Sequence, residues 1–167
     1  MLIAGYHGTT RKNAEQILKS REFKISNGEK EWVGRGIYFY PDINDAFCWR
    51  KSESILHTVI KVDSNEYLDL NSLEGQLIYE EVLGLIRRTM PGLNTSNPEK
   101  NQCAVMNIIW DVYKHLKVIS GSFAKEETKI RTLMDFRERR KEFCVRDNEC
   151  IVYIQEIKKG DLDVNVT

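Results

Sequence analysis

The chain has 167 residues, 41% of them hydrophobic and 30% charged, and its 25 Lys and Arg residues balance its 25 Asp and Glu. That balance fits a globular domain large enough to bury a core and excludes a disordered tail. It argues against holding nucleic acid mainly through phosphate charge, while leaving room for a local basic patch.

No stretch approaches the ~18 apolar residues of a membrane-spanning helix. The apolar start, Met1 to Gly5, is too short for a secretory signal. Cys48, Cys103, Cys144 and Cys150 form no Cys-x-x-Cys pair and have no His at zinc-ligand spacing. They read as buried reduced thiols, with no metal, in a reducing cytoplasm.

Leu2–Tyr6 is an apolar run that ends in His7-Gly8-Thr9, a strand opening into a turn. Thr10 is placed to cap a helix in which Ala14, Ile17 and Leu18 share one face. Phe23 and Ile25 lead to a turn at Asn27-Gly28. Gly34-Arg35-Gly36 then enters the aromatic run Ile37–Tyr40, which Pro41 stops. Asp42 caps a second helix carrying Ile43, Ala46, Phe47 and Trp49-Arg50. His57–Val62 alternates as a strand does, and Tyr67–Leu70 closes it.

Ser72–Met90 carries Leu73, Leu77, Val82, Leu85 and Ile86 at helical spacing. A loop over 91–98 follows, then a helix over Gln102–Val118 and another, the third of this helical middle, over Lys125–Arg140. Strands return at Phe143–Val145 and Cys150–Ile157. Strand-rich ends thus flank a helical middle of about 71–141. This predicts a single α+β domain over 1–167, with the first and last strands paired in one sheet and the helical middle inserted between them.

Three places can carry chemistry. A His at a strand end can hydrogen-bond a ligand hydroxyl, and a neighbouring Gly lets a ligand lie on bare backbone, as at His7-Gly8-Thr9. An aromatic strand after a glycine turn, Gly36-Ile37-Tyr38-Phe39 with Trp49 beyond it, can stack a flat ring. A carboxylate before an apolar strand, as in Asp147-Asn148-Glu149 before Cys150–Ile154, can steady a developing oxocarbenium ion. Each fragment alone reads more simply as structure: a satisfied histidine, packed core aromatics, an acidic turn.

Taken together and in this order, His-Gly-Thr, Gly-x-Gly-Ile-Tyr-Phe and Asn-Glu-x-Ile-Val-Tyr resemble the catalytic domain of the poly(ADP-ribose) polymerase and diphtheria-toxin-like ADP-ribosyltransferases, which carry a His–Tyr–Glu triad. The likeness covers about residues 5–49 and 143–157, and the helical middle carries none of it. It implies a split β-sheet core, mixed and antiparallel, with flanking helices, and NAD as co-substrate without a metal. By similarity, His7 holds the 2′-hydroxyl of the adenosine ribose, Gly8 holds the nicotinamide amide, and Thr9 and Gly36 complete the binding surface. Tyr38 stacks on the nicotinamide ring, Trp49 supplies a second aromatic, and Glu149 stabilises positive charge at the anomeric carbon. Many members carry a serine where Ala46 stands, which costs one amide contact here.

The implied reaction is transfer of a single ADP-ribose to a macromolecule, protein before RNA or DNA, as in a toxin or conflict effector with an inhibitory partner protein. NAD hydrolysis and a non-catalytic NAD- or ADP-ribose-binding module are the alternatives. Arg87-Arg88, Lys129, Arg131 and Arg137 to Lys141 form a candidate docking surface, though interleaved acids fit an ordinary solvated face.

Overall fold

The computed structural model describes residues 1–49, 52–89, 98–124 and 139–157. The chain runs β1 (Leu2–Thr9), α1 (Arg11–Ser20), β2 (Ile37–Phe39), α2 (Ile43–Cys48), β3 (Ser54–Lys61), β4 (Tyr67–Asp69), α3 (Leu73–Thr89), α4 (Pro98–Val112), β5 (Val118–Ala124), β6 (Arg139–Val145) and β7 (Ile151–Ile157). The strands form two sheets, an antiparallel one in the order β1-β3-β7 and a mixed one in the order β2-β6-β5-β4, in which β4 and β5 are parallel. The architecture is α+β, as expected. The first and last strands share a sheet but do not pair, because β3 lies between them.

Local chemistry explains the elements around the first sheet. Thr10 Oγ1 accepts the Asn13 N–H at 3.3 Å and starts α1. Ala14 and Ile17 then bury one face of α1 in a core with Leu56, Ile60 and Ile154. Arg21 ends the helix in the left-handed region (φ 62°), with its N–H on the Ile17 carbonyl at 2.7 Å. Asp42 caps α2 through the Asn44 N–H at 2.8 Å.

Gly5 sits where the two sheets meet. A Cβ there would lie 2.2 Å from Cζ of Phe143 and 3.1 Å from Cβ of Phe39, whose rings stack at 5.6 Å. Gly5→Ala is therefore expected to destabilise the fold by about 1–3 kcal/mol through overpacking. Denaturant titration checks this, and a midpoint equal to the parent's would show that the sheets part more easily than their packing implies.

The middle of the chain departs from expectation. The helix expected to run to Val118 stops at Val112, and a turn carries Leu116 N–H to the Tyr113 carbonyl at 3.0 Å. Val118–Ala124 is a strand, β5, between β4 and β6. Val118, Ile119, Ser120 and Gly121 are all buried, so no alternation marks them. Of the helix expected over Lys125–Arg140, positions 125–138 lie outside the described residues, and Arg139 and Arg140 are strand. The expected loop over 91–98 lies outside them up to position 97, and Pro98 opens α4. Among its described residues the range 71–141 thus holds two helices but also β5 and the start of β6.

All four cysteines are free; Cys103, Cys144 and Cys150 are buried as expected, and Cys48 is exposed. Among the described residues no helix is long and apolar enough to cross a membrane.

Candidate functional site

A cavity of about 730 Å³ opens where β1 hands over to α1. That volume lies in the range of small-molecule sites, about 300–1,000 Å³. Its walls are the His7–Thr10 corner, the stretch from Glu22 to Glu31, the start of β2, and Trp49 with Ser52 and Glu53 beyond α2.

His7 and Tyr38 are joined across the two sheets. Nδ1 of His7 lies 2.8 Å from the Tyr38 carbonyl. A carbonyl only accepts, so Nδ1 carries the proton and Nε2 presents a lone pair. The ring is wedged between Phe23 and Phe39, at 5.1 and 5.7 Å between centroids. Burial there lowers the His7 pKa, opposed by the Tyr38 hydrogen bond, so the neutral imidazole prevails near neutral pH. It can accept a hydrogen bond from a ligand hydroxyl.

The Tyr38 hydroxyl is engaged by backbone on both its donor and its acceptor side. It accepts from Val33 N–H at 2.9 Å and donates to the Gly34 carbonyl at 2.6 Å. Burial pushes its pKa far above that of an ordinary phenol. What Tyr38 offers the cavity is therefore ring surface, not an acid or a base.

The glycines are dictated by close approach. A Cβ on Gly8 would meet the Ala46 carbonyl oxygen at 2.1 Å and Ser52 Oγ at 2.3 Å. A Cβ on Gly36 would meet Cys144 Sγ at 2.1 Å. Gly8 therefore lets α2 close over the end of β1, and Gly36 lets β2 lie on β6. Thr9 lines the same corner, and Trp49 follows α2 with 36% of its surface exposed, its ring 6.2 Å from that of Tyr40. His7, Gly8, Thr9, Gly36, Tyr38 and Trp49 thus share one cavity.

Glu149 does not line it. It is exposed, in a 3₁₀ turn over Asn148–Cys150, with its N–H on Asp147 Oδ1 at 2.9 Å. Asn148 ties that turn to Phe23 by two bonds, accepting from its N–H at 2.8 Å and donating to its carbonyl at 3.1 Å. The register explains the separation: Ile151 pairs with Ile60, which pairs with Ile3, while His7 lies opposite Leu56. Ile3 and His7 are about 13 Å apart at ordinary strand rise, and Glu149 precedes the Ile3 end.

A different glutamate stands near the cavity. β6 pairs with β2, with Tyr38 opposite Cys144 and Phe39 opposite Phe143. Glu142 lies two residues from Cys144, so it shares the Tyr38 face of the sheet. It is 6% exposed. Arg140 Nη1 lies 4.0 Å from its Oε1, and Arg140 Nε lies 3.6 Å from Asp45 Oδ1. Burial pushes the Glu142 pKa up to about 7; Arg140 pulls it down, while Glu31 and Asp45 push it further up. Glu31 itself lines the cavity, and the Arg140 guanidinium sits 5.6 Å from the ring of Tyr40, the neighbour of Trp49. Glu142 is therefore a buried carboxylate on the Tyr38 face of the sheet, although it does not line the cavity itself.

The sequence carries two similar signals, Glu142-Phe143-Cys144-Val145 and Glu149-Cys150-Ile151-Val152. Both are a glutamate before an apolar strand, and only strand pairing tells them apart. Among the described residues, no three His, Cys, Asp or Glu side chains converge as metal ligands would.

No family model matches the chain. A stretch of 95 residues is 34% identical to an uncharacterized protein of Methanocaldococcus jannaschii. That stretch covers 50% of this chain and 44% of the archaeal protein, so the chain spans less than half of that relative's length.

Proposed function

We propose that the chain is an ADP-ribosyltransferase that takes NAD in this cavity and moves a single ADP-ribose to a macromolecular acceptor, protein before nucleic acid, with release of nicotinamide. The observation that carries the reading is the His7–Tyr38 bond across the two sheets, which aims a neutral imidazole nitrogen and an aromatic face into one cavity. Nε2 of His7 accepts from a ribose hydroxyl. The Tyr38 and Trp49 rings take the nicotinamide, with the backbone of Gly8 on its amide. Lys24 and the first turn of α1, at Thr10 and Asn13, line the cavity where phosphates are best received. Glu31 suits the cationic pyridinium end. Four free thiols fit a reducing cytoplasm.

The carboxylate in this reading is Glu142 and not Glu149. The bond between ribose C1′ and the nicotinamide ring nitrogen breaks, and its electron pair stays with the nitrogen, so the leaving group departs neutral. The sugar carbon becomes oxocarbenium-like and an ionised Glu142 stabilises it. An acceptor nucleophile then bonds C1′ and loses its proton to solvent. Holding donor and acceptor in line supplies most of what remains.

Labelled NAD incubated with purified protein and whole-cell lysate tests this, the sample being split between nuclease and protease. Label removed by protease but not nuclease is the expected result. Label removed only by nuclease would move the acceptor to RNA or DNA. Nicotinamide release without label would indicate hydrolysis, and binding without release a non-catalytic module.

A further inference from the structure

We infer that Asn107, on α4, is a positioning residue for the cavity, acting through the turn that leads into β2. The inference rests on the NAD reading for its kinetic consequence, but its structural half stands alone. Asn107 does not line the cavity. Its carboxamide Oδ1 accepts two hydrogen bonds, from Arg35 N–H at 2.9 Å and from Arg146 Nη2 at 3.0 Å. Arg146 Nε in turn donates to the Arg35 carbonyl at 3.0 Å. Both backbone polar groups of Arg35 are thus held by this pair of side chains, with Cys144 Sγ also donating to its carbonyl at 3.7 Å.

The turn so held is a demanding one. Gly34 has φ +79°, the left-handed region, and a Cβ there would lie 2.9 Å from Asn107 Oδ1 and 3.2 Å from Trp110 Cδ1. Other side chains on the same stripe of α4 bind the same segment. Cys103 Sγ donates to the Gly28 carbonyl at 3.5 Å and Trp110 Nε1 to the Val33 carbonyl at 2.9 Å. Cys103, Asn107 and Trp110 stand at helical spacing, so one face of α4 is fitted to the backbone of 28–35. The guanidinium of Arg146 lies 4.7 Å above the Trp110 ring and closes the set.

The consequence reaches the cavity through Tyr38. Its hydroxyl hangs between the Val33 N–H and the Gly34 carbonyl, so its ring moves with the turn. A loosened turn displaces a ring that binds the ground state, which raises KM more than it lowers kcat.

The test compares Asn107→Leu, which removes the acceptor, with Asn107→Asp, which keeps it and still faces Arg146. Arg146→Lys is a milder third variant that loses the Arg35 carbonyl bond and keeps the charge. Two readouts are needed: amide hydrogen exchange over 31–38 without NAD, and nicotinamide release against NAD concentration. The expected result is faster exchange in Asn107→Leu, a KM about tenfold higher with kcat within about twofold, and restoration of both by Asn107→Asp. Arg146→Lys falls between. Parent-like exchange over 31–38 in both Asn107→Leu and Arg146→Lys overturns the inference, as does faster exchange with an unchanged KM. If the parent itself releases no nicotinamide, the NAD reading fails, while exchange still decides whether Asn107 holds the turn.

Discussion

Glu142→Gln is expected to turn over NAD about 10²–10³-fold more slowly than the parent and yet to fold more stably above pH 7. The rate loss is that of removing one electrostatic contact to a developing charge, ~3–4 kcal/mol of barrier. The stability gain follows from the burial of the group. Glu142 is pushed from the ordinary glutamate value of 4.5 up to about 7. Between those values the folded chain keeps a proton that the unfolded chain has released, so stability falls as pH rises through that window. Above it the full cost, about 3 kcal/mol, is in place. A glutamine carries no charge and escapes it. Denaturation of parent and variant should coincide near pH 4.5 and separate by up to that amount at pH 8. Parent turnover should rise with pH through about 7 as the carboxylate ionises. A variant no more stable than the parent at pH 8 would show that Arg140 fully compensates the buried charge.

His7→Ala carries the second large effect. It removes a ring packed against Phe23 and Phe39 and leaves the Tyr38 carbonyl without the imidazole N–H 2.8 Å away. A cavity and an unmet buried acceptor together cost about 2–4 kcal/mol. NAD affinity should fall about tenfold or more, from loss of the hydroxyl contact and of the Tyr38 anchor. His7→Phe separates the two, since it keeps the ring and loses the nitrogen atoms. His7 also sets an acid limit. Burial holds its folded pKa below the ordinary 6.5 of a histidine, so the unfolded chain takes up a proton first and stability is lost as pH falls below 6.5. His7→Phe should lose less stability over that range. An identical acid-side loss in that variant would assign the limit to other groups.

Elements set by local chemistry could be read from the chain. Thr10 and Asp42 begin α1 and α2 because a short oxygen-bearing side chain before an apolar stripe satisfies exposed N–H groups. The helix α3 itself was legible, but of its expected apolar stripe Val82 and Ile86 are buried while Leu73, Leu77 and Leu85 are exposed. What could not be read was anything decided by distant pairing. β5 is buried on both faces over Val118, Ile119, Ser120 and Gly121 and so shows no alternation. β3 between β1 and β7 follows from sheet order, which no local motif encodes. The same cause separates the two glutamates. Residues 147–149 look like the lip of a site, but they lead into the end of β7 that lies opposite Ile60 and Ile3 rather than opposite His7. Lys141-Glu142 lies between the expected charged helix and the strand at Phe143, yet it belongs to β6, which pairs beside Tyr38. The Gly34 turn was visible as glycine punctuation, but its anchors, Asn107 and Arg146, lie 72 and 111 residues from Arg35.

Nicotinamide release from NAD by the parent, Glu142→Gln and Glu149→Gln, assayed side by side, is the most direct test. The account expects release by the parent, a loss of about 10²–10³-fold in Glu142→Gln, and parent-like release in Glu149→Gln. Loss in Glu149→Gln with Glu142→Gln unaffected would contradict the assignment of the carboxylate. No release and no NAD binding by the parent would contradict the account as a whole.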